Sequence, residues 1–254
     1  MNRKPEEQIV RDLERYAQDY SALQFEEIQE DFRRVELVAA IESISPEYLV
    51  EVGCGRNSVI GKLSGLKQAT IIEPIKELLD ANLETLKDHA EINGFNGYLN
   101  QFITEFEDTY DLCVLSSLLH EVNDQNEMLI DCSKLLNSNG ILIVNVPNAF
   151  SIHRILGVYM GKLESVFSLT ETQLTMQQLN APFSPETLKV ILQKNGFHVE
   201  KVFTVIPKLL DHQNLSEIVE SGLVDRTFLT GLNRLSGHLD GFGSEIIAIA
   251  RKNV

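Results

Sequence analysis

Apolar positions along this chain follow two spacings in turn. Between residues 5 and 44 they recur every three or four positions. Ile9, Leu13, Tyr16 and Tyr20 fall on one stripe, and Phe25, Ile28, Phe32, Val35, Leu37, Val38 and Ile41 continue it. That spacing predicts an amphipathic helical layer. It ends at Ser45-Pro46, because a residue before proline is pushed out of the helical region. This layer packs on the rest of the chain or lies over a cleft as a lid, with Tyr16, Tyr20, Phe25 and Phe32 as aromatic walls.

From residue 48 onward, short apolar runs alternate with helical stretches. Strands are expected at 48–52, 69–72, within 94–103, at 112–117 and at 141–146, each a short apolar run bounded by turn residues. A glycine turn at Gly53 and Gly55 leads into a helix carrying Val59, Ile60 and Leu63. The stretch 74–92 reads as a helix with Pro74 in its first turn and Leu78, Leu79, Leu83 and Leu86 on its buried face. Residues 126–136 form the next helix, and 149–166 one helix or two. Ser184 is an expected N-cap with Pro185 at the first helical position, opening a helix that Gly196 closes. Two late strands, 197–206 and 243–253, enclose a mostly helical segment. Parallel strands joined by helices require right-handed crossovers. The pattern predicts a doubly wound α/β sheet, with too little chain left for an eight-unit barrel.

Composition changes this picture at three points. With 254 residues, 43% of them hydrophobic, the chain can bury one large α/β domain. The expected division is a helical cap at 1–44 and a main domain at 45–254. A formal net charge of −15 argues against nucleic acid or an anionic membrane as a general partner. No apolar run approaches the about 20 residues of a membrane span, and the first residues lack a signal-peptide core. Cys54, Cys113 and Cys132 are scattered without metal-ligand spacing. A cytoplasmic chain with free thiols and no metal is expected.

The turn itself carries the first chemical signal. Glu51 interrupts an apolar strand just before Gly53 and Gly55. A carboxylate there must pair with backbone N–H groups or with a ligand, because an unpaired buried charge is costly. Glu73 ends the neighbouring strand twenty residues after Gly53, where an acid can accept both hydroxyls of a ribose. A bound nucleoside follows from these two features.

These residues resemble the class I S-adenosylmethionine-dependent methyltransferases. Their acid-x-Gly-x-Gly motif is matched by Glu51, Gly53, Cys54 and Gly55, their second acidic strand tip by Glu73, and their fourth strand and following loop by residues 110–122. The third glycine of the motif is Asn57 here, a residue that tolerates left-handed φ. The resemblance implies a Rossmann-like, mostly parallel seven-stranded sheet whose last pair is a hairpin. It implies S-adenosyl-L-methionine as cofactor, held by Glu51, Gly53, Cys54, Gly55, Glu73, Pro74, Gln101, Phe102 and Ser116. Residues 146–162 and 205–215 resemble a subgroup found among bacterial saccharide and natural-product O-methyltransferases. The chain departs from that subgroup at Gln178–Pro182.

His120 lies just past the fourth strand, outside the carboxyl ends where open parallel sheets bind ligands. It is the first candidate for a general base, oriented by Glu121 or Asp124, and His153 is the second. Asn145, Asn148 and Arg154 are the expected substrate contacts. The expected reaction is O-methylation of a sugar, with a nucleotide-linked sugar in view and a quinone or other small molecule as the alternative. A homodimer is compatible with the helical N-terminus. A nicotinamide-dependent oxidoreductase is a competing class, although Ser58 stands where its third glycine would be. A cofactor-binding protein without turnover is another.

Overall fold

The computed structural model describes residues 24–89, 91–175, 178 and 180–253. The stripe Ile9–Tyr20 lies outside those residues, as does the side chain of Phe25. Seven strands form one sheet: β1 Tyr48–Val52, β2 Gln68–Ile72, β3 Glu91–Phe95, β4 Tyr110–Ser116, β5 Leu136–Pro147, β6 Phe197–Val205 and β7 Glu245–Lys252. Their order is β3-β2-β1-β4-β5-β7-β6. All neighbours are parallel except β7, which runs antiparallel to both β5 and β6. This is the Rossmann-like sheet with a closing hairpin.

The strands send alternate residues to opposite faces. Val50, Val52, Cys113, Leu115, Leu142 and Val144 pack under α3 (Leu99–Glu105), α4 (Gln125–Leu135) and α7 (Pro185–Lys194). Leu49, Ala69, Ile71, Leu112, Val114 and Ile143 pack under α1 (Gln24–Ile44) and α2 (Lys76–Leu86). Glu51 and Asn145 continue this second row, so both point toward the α1 side. Helices therefore cover both faces. The remaining helices are α5 (Ile152–Tyr159), α6 (Glu171–Thr175), α8 (His212–Glu220) and α9 (Arg226–Arg234), the last two in the segment before β7. Among the described residues no helix is long and apolar enough to cross a membrane. All three cysteines are free and buried.

α1 is fastened to the far side of the sheet by a buried polar network. Arg33 Nε and Nη2 donate to the two oxygens of Glu245 at 2.7 and 2.6 Å. Gln29 Nε2 donates to Glu245 Oε1 at 2.6 Å, and Lys208 Nζ to Gln29 Oε1 at 2.6 Å.

Three expectations on elements are corrected. The glycine turn leads not to an α-helix but to four residues of 3₁₀ helix, Val59–Lys62. The helix expected over 74–92 stops at Leu86, and its last residues belong to β3. Gly94 allows this: a Cβ there would meet Leu83 Cδ1 at 2.6 Å, so β3 lies tight against α2. The strand expected within 94–103 is then the end of β3, a turn and α3. The Tyr98 N–H donates to Gln101 Oε1 at 2.8 Å, starting that helix. The cap at Ser184 is as expected: its hydroxyl accepts from Thr187 N at 3.1 Å, and Pro185 follows in the first turn.

Candidate active site

The carboxyl ends of β1, β2 and β4 open into a cavity of about 670 Å³. The glycine turn forms its floor. Gly53 and Gly55 hold φ of +75° and +58°, values that glycine adopts without strain. Gly53 N donates to Ile72 O at 2.9 Å, fastening the turn to β2. A Cβ on Gly53 would stand 3.1 Å from Leu118 Cδ2, so this glycine also lets the loop after β4 come close. Asn57 does not take a left-handed φ. The turn keeps its shape through side chains. Asn82 accepts from Ser58 N at 2.7 Å and donates to Gly55 O at 2.9 Å.

Glu51 is buried and accepts from the Ser58 hydroxyl and from Val59 N at 3.3 Å. Burial pushes its carboxyl up to about 7, against the opposing pull of those two bonds. Glu73 is also buried. Its Oε1 accepts from Ile75 N at 3.0 Å and its Oε2 from Gly55 N at 3.3 Å. Burial raises its pKa as well, and these backbone bonds hold it down. Ionised, a carboxylate has about four lone-pair sites, so with Ile75 N, Gly55 N and the Cys54 thiol bound Glu73 keeps capacity for about one further donor. Cys54 Sγ lies 3.7 Å from Glu73 Oε2. Burial and the neighbouring carboxylates push its thiol up, so it stays protonated.

Of the expected cofactor residues, Glu51, Gly53, Cys54, Gly55, Glu73, Pro74, Gln101 and Ser116 line this cavity. Phe102 does not. It stacks on Phe106 with ring centroids 4.7 Å apart and belongs to the core. The catalytic and substrate candidates lie outside the lining of this cavity. His120 is 5% exposed and is not among the lining residues. Its Nε2 stands 3.6 Å from Glu121 Oε1, and it is Glu121 that reaches the cavity. Asp124 Oδ1 caps α4, accepting from Asn126 N and Glu127 N. His153 sits on α5, away from the lining.

The three expected substrate contacts are bound into the fold. Asn145 donates to Ile246 O at 3.1 Å, and Asn148 donates to Gly241 O and Gly243 O at 3.0 and 2.7 Å. Arg154 donates to Val166 O at 2.9 Å, to Ser168 O and to Gln173 Oε1. Carbonyl groups already claim these donors, leaving little with which to hold a ligand.

Other lining residues carried no distinguishing signal in the sequence. Glu30, Arg33, Arg34 and Leu37 reach the cavity from α1. They read there as ordinary members of an amphipathic helix, and only the docking of α1 turns them toward the cleft. Ser117, next to Ser116, also lines it. A second opening of about 690 Å³ lies at the amino ends of the strands. Its polar groups serve the fold: Asp111 accepts from Glu47 N and Tyr48 N, each at 3.0 Å, and Arg251 pairs with Glu200 at 2.6 Å.

A family model described as a methyltransferase domain matches residues 20–202. The chain belongs to that family. Its methyl donor is S-adenosylmethionine. The human mitochondrial ubiquinone biosynthesis O-methyltransferase is 26% identical over 164 residues, which cover 61% of this methyltransferase and 42% of that protein. The chain thus spans less than half the length of that relative. Among solved structures, the N-methyltransferase NodS from Bradyrhizobium japonicum, in complex with S-adenosylhomocysteine, superposes with a TM-score of 0.58 at 14% identity. The match covers 94% of this chain and 96% of that one. A possible histamine N-methyltransferase from Thermotoga maritima superposes with a TM-score of 0.59 at 20% identity, over 95% and 98% of the two chains. The fold expected from the sequence is therefore the fold of known methyltransferases.

The cavity fits a nucleoside cofactor on its own geometry. A buried carboxylate with acceptor capacity stands beside a glycine turn held at positive φ, and Pro74 and Ile75 supply an apolar edge next to it.

Proposed function

We propose that this methyltransferase passes the methyl group of S-adenosylmethionine to the hydroxyl of a small aromatic acceptor, of the phenol or hydroquinone type. The observation that carries this reading is the kind of base the cavity offers. Its described lining contains carboxylates and arginines but neither histidine nor lysine. A phenol gives up its proton near pH 10, as tyrosine does, whereas a sugar hydroxyl is a far weaker acid. A carboxylate is the better match for the phenol. Similarity to O-methyltransferases of ubiquinone biosynthesis points the same way. The sugar reading recedes, because Asn145, Asn148 and Arg154 are engaged within the fold.

When bound, the cofactor supplies a methyl group already activated by its sulfonium. The chain's residues hold and align. Glu73 accepts a ribose hydroxyl, Pro74 and Ile75 flank the base, and the Gly53–Gly55 turn carries the amino-acid end. Glu121 takes the proton of the acceptor hydroxyl, with His120 behind it. Alignment can supply about 7–11 kcal/mol, against about 10²–10⁴-fold in rate from the base. Glu121→Gln therefore lowers kcat by about that factor and leaves cofactor affinity nearly unchanged.

The test is incubation with S-adenosylmethionine and a panel of catechols, hydroxybenzoates, hydroquinones and sugars, with products read by mass spectrometry. Methylated phenols are the expected products. Turnover confined to sugars would reject the reading.

A further inference from the structure

The loop between β4 and α4 spans residues 117–124, and Glu121 reaches the cavity from it. A single side chain holds the backbone on both sides of that glutamate. Asn180 Nδ2 donates to His120 O at 3.2 Å and to Val122 O at 2.7 Å. A primary amide carries two N–H donors, so both are committed to the residues that flank Glu121. The reversed amide would set its oxygen against two carbonyl oxygens, which fixes the orientation of Asn180. Within the loop, Glu121 N donates to Leu118 O at 2.9 Å and closes a turn. The direction in which Glu121 leaves the backbone is therefore held from within the loop and from outside it.

Asn180 is itself carried on a braced stretch. Gln178 is buried, and its Nε2 donates to Asn180 O at 2.9 Å. Three residues beyond Asn180, Phe183 forms a bridge with Asn148 at the end of β5, and Ala149 N donates to Phe183 O at 2.6 Å. Ser184 then caps α7. The brace thus runs from the end of β5 and the start of α7 to the loop that presents Glu121. Gln178–Pro182 is also the stretch at which the sequence departs from the subgroup it otherwise resembles.

We propose that Asn180 is a positioning residue for methyl transfer, an inference that rests on Glu121 taking the proton of the acceptor. Asn180 is not among the residues that line the cavity, so it acts through the glutamate. A base must stand within about 2.6–3.2 Å of the group whose proton it takes. A misplacement of about 1 Å costs up to about 10²-fold in rate. By pinning His120 O and Val122 O, Asn180 keeps the carboxylate within that reach. The cofactor residues on β1 and β2 lie apart from this brace, so cofactor affinity does not depend on it.

Asn180→Ala and Asn180→Asp test this, each alone and combined with Glu121→Gln, with S-adenosylmethionine and catechol as probes. Alanine removes both donors. Aspartate keeps the shape and sets an oxygen against the two carbonyls. Each single variant is expected to lose about ten-fold in kcat, with acceptor KM and S-adenosylmethionine affinity within about two-fold of native. In the Glu121→Gln background the same substitutions should change kcat by less than about two-fold, because groups that act as a unit are not additive. An equal loss in both backgrounds would overturn the proposal in favour of a purely structural asparagine. Unchanged kcat in the single variants would overturn it as well. Native turnover in Glu121→Gln alone would reject Glu121 as the base, which is a failure of the underlying reading, and the role of Asn180 would fall with it. Amide hydrogen exchange over residues 118–123 needs no acceptor. Asn180→Ala should quicken it about ten-fold, and native exchange there would overturn the proposal even where catechol is not turned over.

Discussion

Glu51 and Glu73 stand at the ends of β1 and β2 beside an open cavity, while Asn145, Asn148, Arg154 and Glu245 stand at or just beyond the corresponding edge of β5 and β7. All six are polar residues, and the topological place is alike. Their fates differ because of what the chain brings next to them. After β1 it brings a glycine turn, which offers N–H groups to carboxylates and leaves space above. After β5 the chain folds back over the strand ends. The turn before β7 presents the carbonyls of Gly241 and Gly243 to Asn148, and the segment after α5 presents those of Val166 and Ser168 to Arg154. Carbonyl groups satisfy amides and guanidinium groups and close the space. A polar side chain at a strand end becomes a ligand contact only where the following backbone leaves its hydrogen-bonding capacity unfilled. The β1–β2 side should therefore govern binding, and the β5–β7 side stability.

The largest effect expected from this contrast falls on Glu245. Arg33 and Glu245 are 6% and 2% exposed, and their bonds tie α1 to β7. Removing one partner of such a pair leaves the other charge buried without it, which destabilises by about 3–5 kcal/mol. Glu245→Ala should lower the thermal midpoint by roughly 10 °C. The double replacement Arg33→Met, Glu245→Leu should recover most of that loss, since well-packed apolar pairs replace buried ions at little or no net cost. A single variant that melts like the native protein but binds ligand poorly would move this network to the binding side.

Glu51 sharpens the comparison through pH. Its folded value of about 7 lies above the ordinary 4.5, because burial favours the neutral form. The native state therefore holds a proton that the unfolded chain releases between these two values. The contribution is fully present below about pH 4.5 and is lost as pH rises through 7. Over that window it amounts to about 3 kcal/mol. Denaturant titrations at a series of pH values should show native stability falling by this amount relative to Glu51→Gln, which carries no titrating proton. Parallel curves for the two proteins would mean that Glu51 is already ionised in the folded state.

Much of this was legible before the structure. The short apolar runs and the glycine turn specify the sheet, because core packing leaves such patterns directly in the sequence. Glu73 and the Gly53–Gly55 turn were found by local spacing. The extent of α2 was not, since only the contact of Gly94 with Leu83 reveals that β3 begins where helical residues continue. The 3₁₀ turn was missed for a related reason. Glu51 and Asn82 shape that turn from outside the segment. The engagement of Asn145 and Asn148 was not legible, because it depends on carbonyls about a hundred residues away in sequence, as with Asn145 and Ile246. Glu30, Arg33 and Arg34 of α1 were invisible as site residues, because sequence shows the helix but not where it docks.

The smallest expected energy, and the most diagnostic one, belongs to Glu73. Its carboxylate is buried, and burial raises its pKa in the free protein. A charge held in that way contributes little to folding, as is common where a site is shaped for a ligand rather than for stability. Two backbone amides, Ile75 N and Gly55 N, already aim it. A ribose hydroxyl would fill the acceptor position that these amides and the Cys54 thiol leave open, with a charge-assisted bond. Glu73→Ala should weaken S-adenosylmethionine binding at least ten-fold, about 1.4 kcal/mol, and shift the thermal midpoint of the free protein by no more than about 3 °C. Calorimetry and melting read the two quantities separately. The reverse outcome, a large loss of stability with affinity retained, would mean that Glu73 braces the turn as Glu245 braces α1, and the distinction between the two sides of the sheet would vanish at the residue on which the cofactor site most depends.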